Sequence, residues 1–345
     1  MGDRAHFVIK RRGSWSLRYS PWAGYDLELE LLPGPRAGVG FAERLQPDTA
    51  FMNEVLCTGA ALADVDERRL LWFSPCRADP SYRLATLRVL ARTWPGWRVE
   101  WAYDGLADLV RAVGEDPAGV AAPRSVPVPP GVRTPEELRA RMPMLWLDPG
   151  VYPPGSRLPP ALPTWPDTLR RAAPGEPVCL VTVARGGVVR GYPVSPPADA
   201  VIGHGPASLE AYATWMPVRS WPHAPSAGIH LDADTRTAGV WTTRDLAQVL
   251  PEMPALWPGW RWEPWQDRHA EQLRRCAPAV TFPEPSLKAG LLTLAAAFHE
   301  HRRGDRATRG ISALLGFTGV PPAPAAGGPG GEHATVLEII EELHA

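Results

Sequence analysis

Trp-Pro-Gly-Trp occurs twice, at residues 94–97 and 257–260, and this repetition limits the possible folds more than any other feature of the chain. Segment 94–104 reads WPGWRVEWAYD and segment 257–267 reads WPGWRWEPWQD; seven of eleven positions agree at an offset of 163 (257 − 94). Recurrence at a fixed offset marks a chain built from repeated supersecondary units. Upstream, ALADVDER at 61–68 resembles IHLDADTR at 229–236, now at an offset of 168 (229 − 61). Each copy runs an apolar strand into Asp-x-Asp-x-Arg and out into a second strand, 70–74 and then 238–242. Aspartate and its polar neighbours form turns, so each copy predicts a β-hairpin, with Cys57 and Cys76 facing each other if the turn centres on Asp66 and Glu67.

A helix follows the first hairpin. Asp79-Pro80 supplies an N-cap and a first-turn proline, and Leu84, Leu87, Leu90 and Trp94 share one helical face. The second copy starts its helix at Thr243, where Pro251 and Pro254 shorten or kink it. Pro-Gly then turns the chain, and apolar residues alternate with charged ones in WRVEW and WRWE, the period of a half-buried strand. A last helix carries Leu106, Leu109, Val110 and Val113 in one copy and His269, Gln272, Leu273 and Cys276 in the other. Further strands are expected at 6–10, 15–19 and 25–31, and at 178–184 and 188–193. The fold class is therefore α+β: two homologous units of hairpin, helix, strand and helix with preceding strands, plus C-terminal helices.

At ~150 residues per domain, 345 residues make about two domains. The expected partition is 1–120 for the first unit, 121–175 for a connector and 176–285 for the second unit. Residues 286–320 then form a helical segment, 321–332 a flexible linker and 333–345 an amphipathic C-terminal helix. The connector holds 13 prolines between 121 and 166, a capped helix start at Thr134-Pro135-Glu136-Glu137 and an apolar MLWL at 144–147. PPAPAAGGPGG at 321–331 reads as a flexible tether, which makes the last helix dispensable for folding. Residues 311–317 suggest one more helix.

A formal net charge of −1 argues against wrapping nucleic acid or lying on an anionic membrane. Residues 1–13 carry no apolar core of a signal peptide, and the longest apolar stretch, 289–298, is too short to span a bilayer, so a cytoplasmic protein is expected. Cys57, Cys76, Cys179 and Cys276 lack zinc-site spacing and read as buried, reduced thiols. No metal or cofactor is expected. The Asp64/Asp66 and Asp232/Asp234 pairs read as hairpin turns, and His299-Glu300-His301 cannot share one ligand face of a helix. No phosphate-binding glycine loop and no nucleophile elbow occurs.

Of the 15 tryptophans, those in WPGW and the alternating strands read as core. Trp215 and Trp221 differ. They lie in TWMPVRSWPH at 214–223, an aperiodic segment with two prolines, whose counterpart at 46–52 has no tryptophan. Tryptophan and arginine are enriched at binding hot spots, so Trp215, Arg219, Trp221 and His223 are the candidate partner-binding residues.

With WPGW at 94–97 and 257–260 and its flanking helix–strand–helix pattern, the chain resembles uncharacterised actinobacterial tandem-repeat proteins, some of them immunity-protein-like. That resemblance implies a toxin as partner and brings no catalytic residue. The leading expectation is a non-catalytic adaptor or immunity-like protein that binds another protein. The alternatives are a hydrolase or transferase with a site in the cleft between the units, and a small-ligand or carbohydrate binder that stacks on tryptophan faces.

Overall fold

A computed structural model describes residues 3–54, 56–76, 79–120, 171–172, 178–195, 198–242, 246, 253–303 and 330–344. Two compact units share the chain: Met1–Val120 with Glu284–Ala345, and Ala121–Pro283.

Unit 1 runs β1 (Ala5–Arg11), β2 (Ser14–Ser20), α1 (Leu27–Leu31), α2 (Pro35–Glu43), β3 (Gln46–Asp48), β4 (Gly59–Asp64) and β5 (Arg69–Phe73). It continues with α3 (Pro80–Thr93), β6 (Arg98–Trp101) and α4 (Leu106–Ala112). Its sheet has the order β3-β2-β1-β4-β5-β6. Strand β1 pairs antiparallel with β2 and parallel with β4, β4 antiparallel with β5, and β5 parallel with β6. Every residue of the central strand β4 is buried, because both faces are covered. Phe7, Ile9, Ala61, Leu70 and Trp72 meet α1 to α3 on one face. Val8, Leu17, Leu62 and Leu71 meet Leu106, Leu109 and Val110 of α4 on the other.

Unit 2 runs β7 (Cys179–Arg185), β8 (Val188–Val194), α5 (Ala198–Gly203), α6 (Ser208–Ala213), β9 (Ala227–Asp232) and β10 (Thr237–Thr242). Then come α7 (Met253–Leu256), β11 (Arg261–Gln266) and α8 (His269–Cys276). Its sheet order, β8-β7-β9-β10-β11, repeats β2-β1-β4-β5-β6 with the same strand senses.

The repeated residues make the same contacts in each unit. Trp94 donates its indole N–H to Leu31 O at 2.8 Å, and Trp257 donates to Ile202 O at 2.7 Å. Trp97 and Trp260 pack edge-on against those rings, at 4.8 and 5.0 Å. Gly96 and Gly259 turn the chain at φ +75° and +77°, the left-handed region that favours glycine. The Asp-x-Asp pairs are structural. Asp64 and Asp232 each accept two backbone N–H groups of their own turn. Asp66 and Asp234 reach across to the neighbouring hairpin turn and accept the N–H of Gly13 and of Gly186, both at 3.0 Å.

Several expectations need correction. Residues 25–31 are not a strand: α1 begins at Leu27, and the apparent alternation fails because Glu28 is fully buried. Its carboxyl accepts from Ser74 Oγ at 2.7 Å and Tyr82 OH at 2.9 Å. Helix α3 is rotated from the expected face. It buries Tyr82, Ala85, Thr86, Val89 and Leu90, while Leu84 and Leu87 are half-buried. The cause is a second layer, α9 (Leu287–Arg303), which approaches so closely that a Cβ on Gly290 would collide with Ser81 O.

The final helix, α10 (Gly330–His344), is not a loosely tethered appendage. Val336, Ile339 and Ile340 are buried in the core of unit 1 with Leu291, Leu294 and Phe298 of α9. The stripe at 336, 339, 340 and 343 is therefore already partnered, with Leu343 packed at its margin.

The four cysteines are buried and free. The β4–β5 register pairs Ala60 with Phe73 and Asp64 with Arg69, the alignment in which positions sum to 133 (60 + 73). Cys57 and Cys76 lie past the ends of that pairing and join opposite cores. The connector to residue 170, the helix starts at Thr134 and Thr243, and the segments 311–317 and 321–329 lie outside the described residues.

Candidate functional site

The segment after α6 folds as an arch held by its backbone. Val218 N–H donates to Gly191 O on β8 at 2.8 Å. Trp221 N–H donates to Thr281 O at 2.9 Å, and Thr281 N–H donates to Arg219 O at 3.0 Å. The four candidate residues do not form one surface. Trp215 is half-buried edge-on against Tyr212, 5.6 Å between ring centres, in the core that holds Trp257. Trp221 is half-buried in the other core, with Val280 and Phe282. Arg219 and His223 are exposed, as are Pro217 and Pro222. Met216, on the same segment but outside the four candidates, is 75% exposed.

Unit 1 explains part of this. Leu17 pairs with Asp48, and Gly191, 174 positions later (191 − 17), bridges to Val218. Val218 therefore stands in for Asp48, and Trp221 for Phe51. Phe51 packs over His6 and Trp15, at 5.8 and 5.7 Å. Trp221 is thus the same structural lid over its sheet. His6 is buried with Nε2 3.3 Å from Asp48 Oδ2. Burial lowers its pKa, and the Asp48 bond and charge oppose that only in part. The same places in unit 2 hold Leu180 and Val218.

The polarity is reversed on α8. Gln272 is fully buried, where offset 163 places Leu109 in unit 1. It accepts from Trp241 Nε1 at 2.7 Å and donates to Leu180 O, Ile229 O and Thr182 Oγ1 at 2.8, 3.0 and 3.1 Å. Thr182 Oγ1 lies 3.0 Å from His230 Nδ1. Burial, reinforced by the charge of Arg275, lowers the His230 pKa to about 4, so the ring is neutral at pH 7.

Cys57, Cys76 and Cys276 are unsuited to attack. Burial pushes Cys57 up to about 12 and Cys276 up to about 11, and a thiol reacts as its thiolate. Among the described residues, no three His, Cys, Asp or Glu side chains converge as a metal site, and no helix is long and apolar enough to cross a membrane. His301 pairs with Glu30 at 3.2 Å. No family model, curated protein or solved structure matches this chain.

Proposed function

We propose that this chain is a non-catalytic recognition protein, adaptor or immunity-like in class, which arose by duplication of one α+β unit and contacts another protein through residues 215–223. Matching strand order and matching indole, aspartate and glycine contacts support the duplication. The observation that carries the functional reading is an exposed tip on a fixed backbone. Met216 is the most exposed large hydrophobic side chain among the described residues, and three backbone hydrogen bonds hold the arch behind it. Methionine offers adaptable apolar surface, and a pre-ordered segment loses little entropy on binding. Arg219 and His223 add exposed polar contacts on the same arch.

The carbohydrate alternative draws little support from ring exposure. Trp72, Trp94, Trp241 and Trp257 are buried to within 2% exposure, and Trp22 is the one described tryptophan among the exposed large hydrophobics.

The test places a photo-crosslinking amino acid at Met216 and, as a control, at Val188, which is 49% exposed. A discrete crosslinked protein is expected from position 216 alone. A hot-spot truncation costs ~2 kcal/mol, about thirtyfold in affinity. Met216→Asp with Arg219→Glu is therefore expected to lose capture of that partner by at least this factor while the far-UV spectrum is unchanged. Identical crosslinks from 188 and 216, or full capture by the folded double variant, rule the loop out.

A further inference from the structure

Strand β8 meets the arch through an antiparallel bridge between Gly191 and Val218. The residues that flank this bridge are neighbours, so Arg190 stands beside Arg219. Side chains directly opposite in such a pair share one face, with Cβ atoms ~4.5–5.5 Å apart. By alternation along β8 that face also carries Tyr192 and Val194, which belong to the core that holds Tyr212 and borders Trp215. Burial raises the pKa of the Tyr192 phenol, and the nearby charges of Arg190 and Arg185 oppose the rise.

Two guanidiniums side by side repel, and like charges directly opposite weaken a strand pair. Nothing described in the chain offsets this. Arg190 and Arg219 are both exposed, and among the described residues neither guanidinium has an ion-pair or hydrogen-bond partner. Glu210 on α6 is taken by Arg185 at 3.3 Å. Unit 1 does without the two cations. Its Leu17–Asp48 pairing matches Gly191–Val218, and the flanking residues there are Ser16 and Thr49. Divergence has put two uncompensated charges where an uncharged pair serves the same backbone.

A carboxylate is the group that compensates them, because its two oxygens accept the forked N–H donors of arginine. Met216 lies three residues before Arg219, roughly 10 Å along an extended segment. The arch thus presents an apolar tip and a cationic pair at a set spacing, on backbone tied to Gly191 and Thr281. A polynucleotide would engage the arginines and leave Met216 in water, whereas a polypeptide satisfies both.

We propose that Arg190 and Arg219 together recognise a side-chain carboxylate of the partner polypeptide. The proposal rests on the reading of residues 215–223 as a contact site and extends that site onto β8. The probe is acetyl-Leu-Ser-Ser-Glu-Ser-amide, titrated into the full chain and followed by the backbone NMR signals of Gly191 and Val218. Saturable binding is expected, and none for the peptide with lysine in place of glutamate or for decathymidylate. Arg190→Ser with Arg219→Thr copies unit 1. It is expected to weaken peptide binding by roughly tenfold while the thermal midpoint stays unchanged or rises slightly. Absence of saturable binding, equal binding of the lysine peptide, or equal binding by the folded double variant overturns the proposal. So does a midpoint lowered by several degrees, because the pair would then be held within the chain. Tighter binding of decathymidylate than of the peptide overturns the assignment to a polypeptide. The two readings fail separately. A crosslink from position 216 that forms at full yield in the double variant keeps the arch as a contact site and removes the carboxylate site. Peptide binding that Met216→Ser leaves intact and the arginine variant weakens does the reverse.

Discussion

Replacing Gln272 by leucine puts into unit 2 the residue that unit 1 carries at the matching position. Leucine is the more apolar residue and the site is fully buried, so hydrophobicity alone predicts a gain. The hydrogen bonds predict a loss. Trp241 Nε1 loses its acceptor at 2.7 Å, and an orphaned buried donor costs ~1–3 kcal/mol. Thr182 Oγ1 and the carbonyls of Leu180 and Ile229 lose a donor each. The carbonyls lose less than the indole, because each has a second lone pair for its strand partner. Allowing ~1 kcal/mol for the apolar gain, Gln272→Leu is expected to destabilise unit 2 by about 2–3 kcal/mol. For a unit of this size that lowers the thermal midpoint by roughly 5–10 °C. Calorimetric and urea unfolding of the full chain measure it. Trp241→Phe removes the orphaned donor and copies Phe73 of unit 1, so a double-mutant cycle is expected to show coupling above ~1 kcal/mol. A Gln272→Leu chain as stable as the native one, or a cycle with no coupling, refutes the reasoning.

Two further outcomes follow from the cores. Ile340→Ala in α10 is expected to cost unit 1 ~2–5 kcal/mol in urea unfolding, as for other buried isoleucines, where a tethered helix would show no change. His230 titrates near 4 when folded and near ~6.5 when unfolded, so the unfolded chain binds the extra proton below neutrality. The stability that His230 contributes is present above pH ~6.5 and falls by about 3 kcal/mol as the pH drops to ~4; unfolding midpoints of His230→Leu are expected to lose that part of the acid dependence.

The parts of the fold legible in the sequence are those where one residue has one physical use. Asp-x-Asp and the Pro-Gly of WPGW are turn chemistry, and they set the β4–β5 register and the helix-to-strand junctions. Asp79-Pro80 starts α3 as expected, with Asp79 Oδ1 accepting from Ser81 N–H at 2.8 Å. What failed depended on distant partners. Glu28 in α1 looks like a solvent position until Ser74 and Tyr82 supply its hydrogen bonds from 46 and 54 residues away. The face of α3 depended on α9, and that of α10 on both, through contacts spanning some two hundred residues and more. Met216 stands out only by its exposure, because composition ranks tryptophan above methionine while exposure ranks them the other way.

Two copies of one topology also sort residues by role without any other sequence for comparison. Where both units hold the same residue in the same contact, the contact is with the unit's own backbone: Trp94 and Trp257 to carbonyls, Asp66 and Asp234 to turn amides. Groups already satisfied in this way have little left to offer a partner, so the most repeated motif of the chain belongs to folding. Activity is to be sought where the copies differ and the difference leaves something unfilled. His6 with Asp48 and Gln272 with Trp241 are differences that close on themselves. The Met216 arch is a difference that remains open, an apolar tip on a fixed backbone. Crosslinking from position 216 tests it directly.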